Sequence, residues 1–461
     1  MKKLIPIISL FLISLTVSAQ NTDSITIRKL FDAALSQQVD YNTLSYMCTH
    51  IGQRLSGSDN AEKAVVYTEA KLKEFGADSV WLQPCMVTHW VRGDKETASA
   101  NSKKLNKKQT LPCCALGGSI GTGTQGLTAP VIEVHGLNEV QKLGIDKVKG
   151  KIVFYNGPFD PKFLDTFTGY SQAVGQRGGA AREAAKYGAV GVLVRSMTPN
   201  HDDYPHTGAM GYNDSIKKIP AIAISTNSAD SLDAMLAKDA DVQVTFRTTC
   251  QTLPDVPSHN VIAELKGTEY PNETIVVGGH LDSWDLAQGA HDDGAGAIQS
   301  MEVLRLFKQL GIRPKHTIRV VLFMNEEHGG QGAKAYADFA KTNGEKALAG
   351  IETDRGGFAP RGFSLDVTPE LWNYLSQWKP LLADFNCGEF IHAGSGADVG
   401  DLKGICPVLG ELYPDPQRYF DIHHSALDVI DEVNWRELEM GGASLAAFMY
   451  LLDTHGIPGM N

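Results

Sequence analysis

The second half of the chain, from about residue 260, alternates short apolar runs rich in branched residues with longer helical patterns. This alternation predicts an α/β fold, with a mostly parallel sheet and helices on both of its faces. In folds of this kind, ligands gather beyond the carboxyl ends of the strands, so the residues that follow each strand are the first place to look for function. The predicted elements are strands 260–265 and 273–278, helix 294–310, strand 317–324, helix 331–341, strand 348–353, helix 369–384, strand 407–412 and helix 434–452.

Acidic and histidine side chains follow three of these predicted strands and begin or precede two of the helices. Each of them alone has an ordinary explanation, because a single histidine is usually structural and an Asp-Asp pair before Gly-Ala-Gly can cap a helix. Their joint occurrence at successive strand ends instead predicts a metal site. In chain order these residues are His280 with Asp282, Asp292-Asp293, Glu326-Glu327, Asp354 and His423-His424.

The residue types explain what such a site can do. Two histidines and three carboxylates can hold two zinc ions, each with one imidazole and one terminal carboxylate, and share the third carboxylate. Two zinc ions can activate one water molecule and polarise a substrate carbonyl. A further carboxylate must stay off the metal to take the proton of that water. Neighbouring Glu326 and Glu327 cannot easily point the same way, so we expect one to be a ligand and the other the base.

Five short segments resemble the metal-site motifs of the co-catalytic zinc exopeptidases, the family of bacterial aminopeptidases and glutamate carboxypeptidases. They are GGHLDSWD, GAHDDGAG, NEE, ETD and HHSALD. Near the amino terminus, GQRLSGSDNAEKAVVYTEAKLKEFG is similar to the opening helix of the family. The resemblance extends over nearly all of the mature chain. It implies a mostly parallel mixed sheet with helices on both faces, an inserted small α/β protease-associated domain, and hydrolysis of dipeptides or of short peptides with a free amino terminus.

The resemblance also implies a role for seven residues of this chain. Two zinc ions would be held by His280, Asp292, Glu327, Asp354 and His424. Asp292 would bridge the two ions, with His280 and Asp354 on one side and Glu327 and His424 on the other. Glu326 matches the general base, and Asp282 matches the acid that orients the ring of His280 through its far nitrogen.

The chain divides into four predicted segments. Residues 1–19 form a signal peptide, with basic Lys2-Lys3, an apolar run over 4–17 and a small-residue cleavage site ending at Ala19, so the protein is expected to be exported. The amino-terminal part of the peptidase domain, the inserted domain and the main part of the peptidase domain are expected at 20–126, 127–248 and 255–461.

Three local features accompany this division. Pro254 and Pro257 mark a linker, and the lysine-rich region 98–110 reads as loop. A helix over 61–75 is expected to be capped by Asp59-Asn60.

Several other functions are excluded or disfavoured. The net charge of −11, without a large basic block, argues against nucleic acid as a partner. No run after the signal peptide is long and apolar enough to span a membrane. The segment 121–126 matches G-x-G-x-x-G, but a strand pattern rather than a helix follows it, so we interpret it as a turn-rich loop. The expected partner is a peptide substrate, and a homodimer is implied by the resemblance alone.

Two alternatives stay open. Single-zinc glutaminyl cyclases resemble this catalytic domain but lack an inserted protease-associated domain. A non-catalytic binding ectodomain, as in transferrin receptor, keeps the fold without the full ligand set, whereas here every ligand and the base are present. The candidates for anchoring the substrate are the loop 394–398, Arg355, Tyr413 and Arg418.

Overall fold

The computed structural model describes residues 22–460. The predicted signal peptide, residues 1–19, lies outside the described residues. Within 22–460, no helix combines the length and the apolar character needed to cross a membrane. The described chain forms two eight-stranded sheets, each with helices packed against it.

The strands and helices are numbered in chain order. The strands are β1 (Ser79–Val91), β2 (Thr97–Ser102), β3 (Lys107–Thr110), β4 (Cys113–Ala115), β5 (Leu127–Val134), β6 (Ile152–Tyr155), β7 (Gly191–Arg195), β8 (Ala221–Ile224), β9 (Gln243–Arg247), β10 (Gln251–Leu265), β11 (Tyr270–His280), β12 (His316–Phe323), β13 (Lys346–Glu352), β14 (Pro360–Asp366), β15 (Glu389–Ile391) and β16 (Val408–Pro414). The helices are α1 (22–34), α2 (Val39–Tyr46), α3 (Asp59–Glu74), α4 (Leu137–Val148), α5 (Thr166–Lys186), α6 (Thr226–Leu236), α7 (Ala295–Leu310), α8 (Gln331–Thr342), α9 (Pro369–Leu375), α10 (Lys379–Ala383), α11 (Tyr419–Ile422) and α12 (Trp435–His455).

The first sheet carries the expected α/β core. Its order is β1-β10-β12-β11-β13-β16-β14-β15, and the four central strands β12, β11, β13 and β16 are parallel. Strands β10 and β14 run antiparallel to this centre on either side, so the sheet is mixed, as predicted. Successive residues of β11 point to opposite faces of the sheet. Ile275 and Val277 pack in the core with α7 and α12, whereas Val276 packs with α8 on the other face. The carboxyl ends of the central strands therefore meet at one protected edge.

The second sheet has the order β3-β2-β9-β5-β6-β7-β8-β4, and it packs with α4, α5 and α6. It does not stand apart from the first sheet. Phe420 lies in α11, after the last strand of the first sheet. Its ring stacks on the ring of Tyr170 of α5, with 4.4 Å between the ring centres, and its ring centre is 5.7 Å from that of Phe159. These aromatic contacts place the second sheet and its helices beside the carboxyl ends of the central strands of the first.

The region 98–110 is a β-hairpin, and the prediction of a loop is wrong. Strands β2 and β3 pair antiparallel, and β3 is the outermost strand of the second sheet. Lys107 and Lys108 are exposed on this edge. Lysines on an edge strand prevent its free backbone groups from pairing with another chain, and the same lysines made the segment look like a solvated loop.

The expected linker at Pro254 and Pro257 is also wrong, because both prolines lie inside β10. This strand pairs with β1 along most of its length, with Pro257 opposite Met86. On its other side, only Val261–Leu265 pairs with β12. A proline can therefore occupy the earlier part of β10 without removing a hydrogen bond on that open side.

Two helix boundaries differ from the predictions for local reasons. Helix α3 begins at Asp59, two residues earlier than predicted, because the Ser58 side chain accepts the N–H of Ala61 at 3.2 Å and caps the helix in place of Asp59-Asn60. The predicted helix 369–384 divides into α9 and α10 around a short 3-10 turn. Pro380 lacks the N–H that would continue the α-helical hydrogen bonds through this point.

Candidate metal centre

The carboxyl ends of three adjacent parallel strands bring the predicted ligands together. His280 is the last residue of β11, Glu327 follows β12, and Asp354 follows β13. Since β11 lies between β12 and β13, these three side chains start from one edge of the sheet. Asp292 arrives from the tight turn that begins α7, and His424 from the turn after α11.

The five predicted ligands form two clusters that share Asp292. His280 Nε2 lies 3.3 Å from Asp292 Oδ1 and 3.5 Å from Asp354 Oδ1. His424 Nε2 lies 3.1 Å from Asp292 Oδ2 and 3.1 Å from Glu327 Oε2. Asp292 thus directs one oxygen into each cluster, and each cluster has one imidazole and one further carboxylate.

The clusters fit a small divalent cation. Ligand atoms arranged tetrahedrally about zinc, at bond lengths of about 2.0–2.1 Å, are separated by about 3.3 Å, close to the distances found in both clusters. Nearly all buried polar atoms in proteins have hydrogen-bond partners. Within residues 22–460, buried atoms without one concentrate at this site, and they include His280 Nε2, Asp292 Oδ2, Glu327 Oε1 and Asp354 Oδ1. Bound cations would satisfy these atoms.

The charge balance of the site also favours bound cations. Burial and the negative charge of Asp292 raise the pKa of Glu327 to about 7. Burial would raise the pKa of Asp292 as well, but the imidazoles of His280 and His424 outweigh it and hold that pKa well below its usual range. Burial would lower the pKa of His424, but the carboxylates of Glu327 and Asp292 raise it to about 10. The buried carboxylates are therefore stabilised by positive charge, which protons supply in the metal-free protein.

This balance predicts that zinc binding releases protons. Because the pKa of His424 is raised to about 10, its ring is protonated at neutral pH and must lose a proton before Nε2 can bind metal. We expect the apparent zinc affinity to rise about tenfold per pH unit for each released proton between pH 6 and 9. Calorimetric titration of the metal-free chain in buffers of different ionisation enthalpy measures this release. An affinity that does not change across this range would contradict the assignment of His424.

Asp282 contacts both the ring of His280, which it is expected to orient, and the loop that carries Glu326. The Nδ1–H of His280 donates to the backbone carbonyl of Asp282 at 3.0 Å, whereas the carboxylate of Asp282 is 3.7 Å away. That carboxylate instead accepts the backbone N–H groups of Asn325, at 2.8 Å, and Glu326, at 3.1 Å. The carbonyl thus fixes the ring with Nε2 toward the cluster, and the carboxylate positions the loop that carries Glu326.

Glu326 lines a cavity of about 260 Å³ together with Asp292, Glu327 and Asp354. Burial, and then the negative charges of Asp354 and Glu327, raise the pKa of Glu326 well above its usual range. A carboxyl group that holds its proton more readily suits a step in which a proton is taken up and then given away.

The substrate-anchoring residues suggested by the sequence do not line this cavity. Arg355 pairs with Glu411 at 2.5 Å, and Arg418 pairs with Glu437 at 2.7 Å. Tyr413 and the loop 394–398 are likewise not among the described residues that form its wall. The cavity wall includes side chains from α5 of the second sheet instead, namely Phe167, Tyr170 and Arg177.

Sequence reasoning missed the residues that hold the turn at His424. This residue has a backbone φ of +59°, a conformation that a residue other than glycine adopts only when its surroundings enforce it. The Thr207 N–H donates to the carbonyl of His424 at 2.9 Å, and the His206 Nδ1–H donates to the carbonyl of His423 at 2.6 Å. Residues more than two hundred positions earlier enforce this turn, and no local pattern indicates it.

Sequence reasoning also gave no role to Asp428, although the segment that contains it resembles a metal-site motif. It is the last residue of HHSALD, and its two carboxylate oxygens accept the backbone N–H groups of His291, at 2.7 Å, and Asp292, at 3.1 Å. Asp293 has a similar part, since it accepts the N–H groups of His280 and Gly296. Both acids fix the backbone around the shared ligand.

Comparison with known proteins agrees with this geometry. Residues 260–449 match the model of peptidase family M28, and residues 101–232 match the PA domain. Carboxypeptidase Q of Xenopus laevis is 36% identical over 395 residues, which cover 86% of this chain and 81% of that protein. The M28 peptidase precursor of Shewanella amazonensis SB2B superposes with a TM-score of 0.89 at 32% identity, covering 94% of this chain and 97% of that one. A zinc aminopeptidase from Bacillus subtilis shares the fold, with a TM-score of 0.63 at 20% identity over 89% of this chain and 94% of that one.

The chain therefore belongs to peptidase family M28, and it is a metallo-exopeptidase with a PA domain inserted in its peptidase domain. Within the family, its similarity to carboxypeptidase Q extends over most of both chains. The match to the PA domain begins before residue 127, and β2, β3 and β4 belong to the second sheet. We propose that the inserted domain spans about 97–248 rather than 127–248.

Replacing His424 by alanine should lower both metal content and peptidase activity. The change removes the imidazole that lies 3.1 Å from both Asp292 and Glu327, while leaving the His280 cluster intact. Metal content by mass spectrometry and hydrolysis rates measure the two effects, with His201→Ala as the control because the His201 side chain is 70% exposed. An unchanged metal stoichiometry in His424→Ala would show that His424 is not a ligand.

Proposed function

We propose that the protein is an exported di-zinc exopeptidase that hydrolyses dipeptides or short peptides with a free amino terminus. One observation carries this proposal: the Asp292 carboxylate lies between two clusters, each with its own imidazole and carboxylate. A single ion needs only one of these clusters, so their pairing favours two ions. The name of the similar carboxypeptidase Q supports a substrate that is cleaved at the end of a peptide.

In this proposal each residue of the site has a separate task. His280, Asp354 and Asp292 would hold one zinc ion, and Glu327, His424 and Asp292 would hold the other. When bound, zinc would supply Lewis acidity, which polarises a substrate carbonyl and lowers the pKa of water. Glu326 takes a proton from the attacking water and delivers it to the leaving amine. Asp282 holds the Glu326 loop through the two backbone N–H groups that its carboxylate accepts.

The inserted domain would complete the site. Phe167, Tyr170 and Arg177 of α5 line the cavity together with four of the predicted ligands, Asp292, Glu327, Asp354 and His424. This wall confines a small substrate and reduces the access of bulk water to the reacting bond. A cavity of about 260 Å³ is of a size for a dipeptide-like ligand rather than for a folded protein chain.

Hydrolysis of a small substrate panel tests the proposal. The panel contains free dipeptides, amino-blocked dipeptides, longer peptides and a peptide with amino-terminal glutamine, each assayed before and after zinc is removed and restored. We expect zinc-dependent cleavage of the free dipeptides and none of the blocked ones. Cyclisation of the glutamine peptide without hydrolysis would instead favour the glutaminyl cyclase alternative, and inactivity on all substrates would contradict a peptidase function.

Two further properties belong to the proposal. We propose that the chain is exported, which is tested by finding a mature form that begins at Gln20 outside the cytoplasm. We also propose that it forms a homodimer, which measurement of its mass in solution tests. The proposed peptide hydrolysis depends on neither export nor dimerisation.

A further inference from the structure

Arg92 joins the two sheets at a point beside the metal centre. It follows β1, and its Nε donates to the two oxygens of Asp285 at 2.9 Å and 2.8 Å, while Nη2 donates to Asp285 Oδ1 at 2.5 Å. Its Nη1 donates to Glu96 Oε1 at 2.9 Å and to the carbonyl of Ala115 at 2.8 Å. Asp285 comes five residues after His280 of the first sheet, whereas Glu96 precedes β2 and Ala115 ends β4 of the second. One side chain therefore holds both sheets.

This network requires the guanidinium group of an arginine. The side chains of Arg92, Asp285 and Glu96 are 11%, 13% and 5% exposed, so both carboxylates depend on Arg92 for a compensating charge. The planar guanidinium directs several N–H groups in fixed directions and can bind a carboxylate with two hydrogen bonds at once. A lysine has one small ammonium group and cannot reach all of these acceptors. Replacement of Arg92 by lysine should therefore break the network while keeping the charge.

The part of the network in the second sheet leads to His424 through Thr207. The Oγ1–H of Thr207 donates to the same Ala115 carbonyl at 2.8 Å, and its Oγ1 lies 3.5 Å from Arg92 Nη2. The backbone N–H of Thr207 donates to the carbonyl of His424 at 2.9 Å. When Nε2 of His424 binds metal, its Nδ1 carries a hydrogen, and this Nδ1–H donates to the Thr207 carbonyl at 3.3 Å. Bonds of this kind orient the ring of a metal-binding histidine.

The part of the network in the first sheet leads to the same ring through Trp284, the neighbour of Asp285. The Trp284 ring packs edge-on against the ring of His424, with 5.7 Å between the ring centres and 64° between the planes. The second sheet approaches Trp284 at Gly117, where an added Cβ atom would overlap the indole ring. Because Arg92 holds Asp285, it also fixes the backbone from which Trp284 projects. His424 is thus confined from two sides by groups that Arg92 holds.

The ring of His280 has its own supports. Its Nδ1–H donates to the carbonyl of Asp282, and its backbone N–H donates to the carboxylate of Asp293. Neither of these acids bonds to Arg92. We propose that Arg92 is a positioning residue for His424, and that it strengthens zinc binding at the His424 cluster more than at the His280 cluster. This inference rests on the proposed function, because it requires two zinc sites.

Arg92→Lys tests the inference by zinc titration of the metal-free protein, followed by calorimetry. We expect the affinity of the His424 site to fall about tenfold, the lower end of the range for a partner that orients a metal ligand, and the affinity of the His280 site to stay unchanged. Peptidase activity should fall at limiting zinc and recover in excess zinc. His424→Ala, which keeps the His280 cluster, shows which binding step belongs to which site.

Two further variants separate positioning from general stability. Asp285→Asn removes the ion pair from its other side and should give the same selective loss, and the double variant should bind zinc little more weakly than either single variant. Arg319→Lys is the matched control, because Arg319 is also a buried arginine, 8% exposed, and bonds to Glu264 and to Tyr336 of α8. It should lower Tm and leave both zinc affinities as in the wild type.

The zinc affinities of the two sites decide the outcome. If both sites weaken equally in Arg92→Lys and Asp285→Asn, or if neither site changes, Arg92 supports only the fold and the inference is overturned. Activity that excess zinc does not restore would also overturn it. A wild-type protein that binds a single zinc ion would contradict the proposed di-zinc function itself, and the inference with it.

Discussion

Replacing Glu326 by glutamine should lower kcat by about 10²–10⁴-fold, the usual contribution of a general base. Glutamine has nearly the same shape but cannot accept the proton of the attacking water. Glu326 is not in either ligand cluster, so the variant should keep its zinc and bind substrate with a KM close to that of the wild type. Steady-state kinetics on a free dipeptide and metal analysis of the same preparation measure both quantities.

Glu74→Gln provides the matched control for this variant, because the Glu74 side chain is 64% exposed on α3, away from the cavity. It should retain full activity. Near-normal turnover in Glu326→Gln would show that another group takes the proton. Loss of zinc together with activity would make Glu326 a ligand and would exchange its role with that of Glu327.

Substitution of Asp292 should have an equally large effect, and two variants give different results. Asparagine can offer its one carbonyl oxygen to one cluster only, so Asp292→Asn should bind a single zinc ion tightly. Alanine offers nothing to either cluster, so Asp292→Ala should lose both ions. Removing a residue that only orients a metal ligand lowers metal affinity by about 10–100-fold. Removing Asp292, a ligand shared by both clusters, should lower the affinity of each zinc site by more than this.

Activity should be lost in both Asp292 variants, since the proposed chemistry needs both ions. Zinc stoichiometry by mass spectrometry or atomic absorption distinguishes them. Asp214→Asn is the control, because the Asp214 side chain is 96% exposed. An Asp292→Asn protein that keeps two zinc ions and full activity would mean that Asp292 does not bridge.

The sequence was sufficient to predict the peptidase core and to single out the five proposed ligands, which the structure brings together, and there is a physical reason for this. Buried parallel strands have apolar runs with clear ends, and the residues after those ends must gather at one edge of the sheet. His280, Glu327 and Asp354 therefore could be placed together from their spacing. Asp292 and His424 were identified by motif rather than by spacing, and the structure brings them to the same cluster.

The remaining features depend on contacts between distant segments. The turn at His424 is held by Thr207, and the cavity wall includes Arg177, although both belong to the second sheet and its connections. Nothing in the residues around position 177 distinguishes this arginine from a surface one. Likewise, the two prolines Pro254 and Pro257 predict a linker from composition alone. In the structure they lie in the part of β10 that pairs with β1 on one side only. Pairing partners, and not local composition, decide such cases.

Anomalous scattering at the zinc absorption edge would show where zinc binds and whether Asp292 joins two zinc sites. Crystals of the mature chain grown with zinc should give two peaks beside the Asp292 carboxylate. One peak should lie among His280, Asp292 and Asp354, and the other among Asp292, Glu327 and His424. A single peak at full zinc loading, or two peaks of which only one contacts Asp292, would show that Asp292 does not join two zinc sites.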